Sequence, residues 1–128
     1  MAAQVKVLLV EDSSVLAERV ADVIMQIPEI DLIGVVDSED AALAEIRKRH
    51  VHVVLLDLYL KQGTGFGILR AISAMDKKPR VVVLTNHDSA EYERDATALG
   101  AAYFLDKARN FHRLPELLHE FVSSGSMD

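Results

Sequence analysis

The sequence predicts a doubly wound α/β domain, a five-stranded parallel sheet with helices on both faces. Short apolar runs alternate with segments of helical periodicity along nearly the whole chain. The runs are continuously apolar instead of alternating with polar residues, as strands buried on both faces must be. The length of 128 residues, half of them apolar, suits one core and leaves little room for a second.

The first run, Val5 to Val10, is interrupted only by Lys6 and passes directly into Glu11-Asp12-Ser13-Ser14, a buried strand feeding a helix cap. From Val15 onward Leu16, Val20, Val23, Ile24 and Ile27 recur at helical spacing until Pro28 stops the helix. Ile30 to Val36 is a second strand. Ser38 caps a second helix carrying Ala41, Ala42, Leu43 and Ile46, and Val51 to Leu56 is a third strand ending at Asp57. Gly63, Gly65 and Gly67 then read as a flexible loop before a short helix containing Ile68, Leu69 and Ile72, which ends ahead of Lys77-Lys78-Pro79. Arg80 to Thr85 is the fourth strand. Ser89 opens a helix to Ala98 that Gly100 terminates, Ala102 to Leu105 is the fifth strand, and the last helix runs from near Leu114 to Val122 with Pro115 in its first turn. The expected domain is 4–122, with 123–128 a disordered tail or linker stub.

Fourteen Lys and Arg against twenty Asp and Glu give a net charge of −6, so direct nucleic-acid binding by this segment and adhesion to anionic membranes are not expected. The absence of cysteine excludes a disulfide framework, a zinc ribbon and a thiol nucleophile. No apolar run has the length of a membrane span, and the N-terminus enters a strand without a basic-then-apolar leader; the expected compartment is the cytoplasm.

Ligands of such sheets bind beyond the carboxyl ends of the strands, where strand order reverses. The residues there are Glu11 and Asp12 after strand one, Asp57 after strand three, Thr85 ending strand four and Lys107 after strand five. Each alone has an ordinary structural explanation: a helix cap, a loop opener, a β-branched strand residue, a solvated lysine. Together they place three carboxylates, a hydroxyl and an ammonium on one face. Carboxylates that close repel by about 4 kcal/mol per pair at intermediate dielectric unless a cation intervenes. An oxygen-only pocket of this kind suits Mg²⁺ or Mn²⁺ better than Zn²⁺. Other signatures fail: Gly63-Thr-Gly-Phe-Gly67 has neither the spacing nor the position of a dinucleotide fingerprint, and no phosphate-loop or nucleophile-elbow motif occurs. Of the five histidines, which form no metal-ligand pair on a helical face, only His87 falls near the site.

These motifs resemble the phosphoacceptor receiver domain of two-component response regulators. They are Glu11-Asp12 after Val-Leu-Leu-Val, Asp57 within Val-Val-Leu-Leu-Asp-Leu, Thr85 ending Val-Val-Val-Leu-Thr, and Lys107 closing Gly100-Ala-Ala-Tyr-Phe-Leu-Asp-Lys. The resemblance implies a flavodoxin-like strand order, 2-1-3-4-5. It implies that Asp57 accepts a phosphoryl group from a histidine of a sensor kinase or phosphotransfer protein. It implies Mg²⁺ held by Glu11, Asp12, Asp57 and the backbone carbonyl of Tyr59. Thr85 would then donate to a phosphoryl oxygen, Lys107 would neutralise its charge, and Phe104 would turn inward in a switch that is not an enzyme turnover site. A homodimer is a second partner option, with Tyr92, Tyr103 and Arg109 as candidate contacts. The chain departs from common family usage at Asn86, where a small residue is usual, at Ala108, where proline usually follows the lysine, and after Asp57, where a proline is often found. The alternatives are a pseudo-receiver that binds without phosphorylation and an Asp-nucleophile phosphatase of the haloacid-dehalogenase type, whose second Asp would fall at Tyr59.

Overall fold

The computed structural model describes residues 4–86 and 90–124. Five strands, β1 (Val5–Val10), β2 (Ile30–Val36), β3 (Val53–Leu56), β4 (Arg80–Thr85) and β5 (Tyr103–Asp106), form one sheet in the order β2-β1-β3-β4-β5. All neighbouring pairs are parallel. The expected strand order is the observed one. Helices α1 (Ser14–Met25), α2 (Glu39–Lys48), α3 (Gly65–Ser73), α4 (Ala90–Ala98) and α5 (Leu114–Ser124) fill the connections, with a 3₁₀ turn at Phe111–Arg113 leading into α5.

Alternation along each strand divides the apolar side chains between two cores. Val5, Val7 and Leu9 of β1, Val53 and Leu55 of β3, and Val82 and Leu84 of β4 face α1 and α5, against Leu16, Val20, Ile24, Leu117 and Phe121. Leu8, Val10, Val54, Leu56, Val81 and Val83 face the other way, against Ala42 and Ile46 of α2, Ile68, Leu69 and Ile72 of α3, and Ala96 of α4. Both faces being covered is why the central strands read as unbroken apolar runs. The edge strand β2 is only half covered, and its pairing with β1 slips by one residue between Leu32 and Gly34.

Most helix ends follow local chemistry. Ser13, Ser38 and Thr64 are N-caps whose hydroxyls accept from Leu16, Ala41 and Gly67 N–H. At the end of α4, Gly100 takes φ +103° so that Gly100 and Ala101 N–H can reach the Thr97 and Ala96 carbonyls. The structure shifts four expected boundaries. β3 begins at Val53, although His52 still exchanges backbone bonds with Lys6 and Arg80. β5 lies one residue later than expected, so that the buried Asp106 belongs to it. α5 continues through Ser124, whose hydroxyl turns back onto the Phe121 carbonyl. The flexible-loop reading of the glycines is corrected at Gly65 and Gly67, which form the first turn of α3. His87 and the expected cap Ser89 lie outside the described residues.

Candidate functional site

β2 and β3 flank β1 on opposite sides, so the strand order reverses there, and the strand ends open a cleft of about 230 Å³. Glu11, Asp12, Ser13, Asp57, Tyr59, Asn86 and Lys107 line it. Backbone bonds from Glu11 N–H to the Val36 carbonyl and from Asp57 N–H to the Val10 carbonyl extend the sheet by one rung, which is why both acids sit at fixed positions. Glu11 and Asp57 are buried, with 4% and 6% exposure, and Asp12 is half-buried.

The three carboxylates each offer an oxygen within 4.8 Å of the others, the sole such acidic or histidine cluster among the described residues. Lys107 Nζ lies 2.8 Å from Glu11 Oε1 and 3.0 Å from Asp57 Oδ2. Three further carboxylate oxygens accept backbone donors: Glu11 Oε2 from Ser13 N–H at 3.0 Å, Asp57 Oδ1 from Tyr59 N–H at 3.2 Å, and Asp12 Oδ2 from Lys61 N–H at 2.7 Å. Burial pushes the Glu11 carboxyl above its ordinary value, against the opposing pull of Lys107 and the Ser13 N–H. Burial by itself would lower Lys107, but its hydrogen bonds to Glu11 and Asp57 outweigh it and hold the ammonium above its ordinary value. The leading causes differ, burial for Glu11 and the carboxylate partners for Lys107, but the cluster sets three carboxylates beside one ammonium, so negative charge is in excess. A hard divalent cation with oxygen ligands fits that excess.

Of the expected site residues, the structure brings together Glu11, Asp12, Asp57, Tyr59 and Lys107 around the cleft. Thr85 is fully buried at the end of β4, and Asn86 provides the cleft wall beside it. Thr85 is nevertheless tied to the site, since its carbonyl accepts Lys107 N–H at 2.9 Å. Sequence reasoning missed three supports. Tyr92 of α4 hydrogen-bonds Tyr59, whose phenol is pushed up to about 12 by that bond, with the rings 5.6 Å apart edge to face. Glu39 accepts Thr64 N–H and so anchors the segment after Asp57. Asp106 accepts two backbone N–H groups from the turn that follows Lys107. The Asp106-to-Asn110 spacing was a readable signal for such a turn; the first two supports are long-range and leave no local signature.

A larger groove of about 520 Å³ lies at the opposite end of the sheet, between Ile46–His52 and Asp76–Arg80. Its arginines are engaged, Arg49 with Glu45 and the Ile33 carbonyl and Arg80 over the Phe121 ring. It holds none of the residues that follow the carboxyl ends of the strands.

Comparison with known proteins identifies a family. The family model described as the response regulator receiver domain matches residues 7–119. The transcriptional regulatory protein CitB of Klebsiella pneumoniae is 32% identical over 115 residues, 90% of this chain and 49% of that protein. The DNA-binding transcriptional activator DevR/DosR of Mycobacterium tuberculosis is 31% identical over 103 residues, 80% of this chain and 48% of that protein. The chain thus spans about half the length of these two relatives. The signal receiver domain of the response regulator NarL from Mycobacterium tuberculosis superposes with a TM-score of 0.85 at 23% identity, covering 94% of this chain and 98% of that one, a likeness of fold.

Proposed function

The chain belongs to the response regulator receiver domain family, and from that premise we propose that it is a phosphorylation switch whose acceptor is Asp57. The observation that carries this reading is the pairing of a buried Asp57 carboxylate with Lys107 at 3.0 Å, beside two further acids within metal-ligand reach. The donor is a phosphohistidine of a sensor kinase or phosphotransfer protein. One Asp57 oxygen forms the new P–O bond as the P–N bond of the donor breaks, and the imidazole leaves with that electron pair and takes up a proton from solvent. Little covalent work falls to the protein in such a transfer; positioning and charge neutralisation decide the rate.

Glu11, Asp12 and Asp57, with the Tyr59 carbonyl, are the residues that would hold Mg²⁺. When bound, that ion supplies positive charge to the phosphoryl oxygens. Tyr59 N–H fixes Asp57 Oδ1, and Lys107 stands at Oδ2, ready to follow the charge onto the phosphoryl group. Thr85 donates its hydroxyl to a phosphoryl oxygen once the site is charged. The segment is regulatory, and its place of action is the cytoplasm. Among the described residues no helix is long and apolar enough to cross a membrane.

Incubation with Mg²⁺ and acetyl phosphate, followed by intact mass, tests the reading. One stable phosphoryl adduct is expected on the native chain and none on Asp57→Asn. Equal labelling of the variant would refute the assignment. Continuous hydrolysis without an adduct would favour a phosphatase, and no reaction a pseudo-receiver.

A further inference from the structure

Four polar or charged residues are buried among those described: Glu11, Asp57, Thr85 and Asp106. Glu11 and Asp57 line the cleft, and Thr85 lies buried next to its wall residue Asn86. Asp106 does not line the cleft, yet its side chain is only 9% exposed, and a buried carboxylate requires donors that repay its desolvation.

Those donors are all in the turn after Lys107. Asp106 Oδ1 accepts Ala108 N–H at 2.7 Å and Arg109 N–H at 2.9 Å. The bond is returned: Asn110 Oδ1 accepts Asp106 N–H at 3.1 Å, and Asn110 N–H reaches the Asp106 carbonyl at 2.8 Å. Lys107 is enclosed by this loop of bonds, and its own N–H is held by the Thr85 carbonyl at 2.9 Å. The Arg109 guanidinium, 3.7 Å from Asp106 Oδ2 and mostly exposed, adds little. Ala108 is essential to the arrangement in one respect: it supplies an N–H, which a proline at that position could not. A lysine side chain is long and flexible, so the direction in which its stem leaves the backbone decides how often Nζ stands between Glu11 and Asp57.

We infer that Asp106 and Asn110 form a reciprocal clamp that aims Lys107 into the phosphoacceptor cleft, making Asp106 a positioning residue for phosphoryl transfer. The inference rests on the proposed roles of Asp57 and Lys107. If it holds, removing Asp106 matters only while Lys107 is present.

The test is a double-variant cycle of the native chain, Asp106→Ala, Lys107→Ala and both together. Limiting rates of phosphorylation are measured by intact mass against acetyl phosphate concentration at saturating Mg²⁺. Asp106→Ala is expected to lower the limiting rate by about ten- to a hundred-fold, the scale of a misplaced reacting group. The double variant should be no slower than Lys107→Ala, and Asp106→Asn, which keeps an Oδ1 acceptor, should recover most of the rate. Losses that multiply in the double variant, or a native rate in Asp106→Ala, overturn the inference. If Asp106→Ala does not fold, Asn110→Ala enters the same cycle under the same two criteria. A native rate in Lys107→Ala would instead bring down the role of Lys107 itself, an outcome distinguishable because it does not involve position 106.

Discussion

Glu11 carries the clearest consequence of a single charge. Its carboxyl is raised in the folded chain, chiefly by burial, so the folded state binds that proton more tightly than the unfolded state. Its contribution to stability is therefore full below the ordinary value of 4.5 and is lost as pH climbs through the raised value. Lys107, also raised, contributes stability that persists below 10.5 and is lost as pH rises beyond it through its own raised value. Glu11→Gln keeps an acceptor for Ser13 N–H but removes the buried charge. At neutral pH without Mg²⁺ this variant is expected to melt about 2–6 °C higher, near 1 kcal/mol, with the gain fading as pH approaches 4.5. It should also lose most of the stabilisation that Mg²⁺ gives the native chain. A lower melting temperature at pH 7, read by calorimetry, would mean that the Lys107 ion pair outweighs the burial.

The segment from Asp57 into α3 shows what local sequence conveys and what it does not. The strand ends and their acids were legible because a doubly wound sheet delivers them to one face whatever the loops do, and the strands are marked by continuous apolar runs. Gly65 and Gly67 were misread because their role depends on atoms outside their own turn, the Asp57–Leu58 backbone and Glu39. A Cβ on Gly65 would lie 2.5 Å from the Asp57 carbonyl oxygen and 2.7 Å from Leu58 Cα, backbone that cannot move without shifting the acceptor. One on Gly67 would meet the Glu39 carboxylate, the far end of a flexible side chain. Gly65→Ala is accordingly expected to destabilise the fold by about 1–3 kcal/mol and to slow phosphorylation. Gly67→Ala should stay within about 1 kcal/mol of native, since the Glu39 bond to Thr64 is exchanged for better helix propensity. Urea midpoints of the two variants check this; equal losses would mean that Glu39 is as unyielding as the backbone.

At the scale of the whole molecule, charge arriving at Asp57 has two physical routes to a distant surface. One runs through Tyr59, hydrogen-bonded to Tyr92 on α4. The other runs through Thr85 and its backbone bond to Lys107 at the end of β5. Both converge on α4 and β5. There Phe104 is only half-buried against the core that Tyr92 and Leu99 also flank. Its neighbour Tyr103 faces the opposite core, edge-on to Phe121 at 6.0 Å with its hydroxyl on Glu120. Movement of Thr85 toward a phosphoryl oxygen would open space for Phe104. Full burial of such a ring is favourable by roughly 1.5–3 kcal/mol, so the part still to be gained is on the order of 1 kcal/mol, about a five-fold population shift. A shift of that size is graded: where two states already exchange rapidly before phosphorylation, both remain populated and averaged signals report their ratio. Adding a beryllofluoride phosphoryl mimic with Mg²⁺ should move backbone resonances of α4, β5 and α5, Tyr92, Tyr103 and Arg109 among them, along straight lines between resting and activated positions. Changes restricted to α1 and the segment after Asp57 would show that neither route reaches the α4–β5 face, and that the partner reads phosphorylation at the mouth of the cleft.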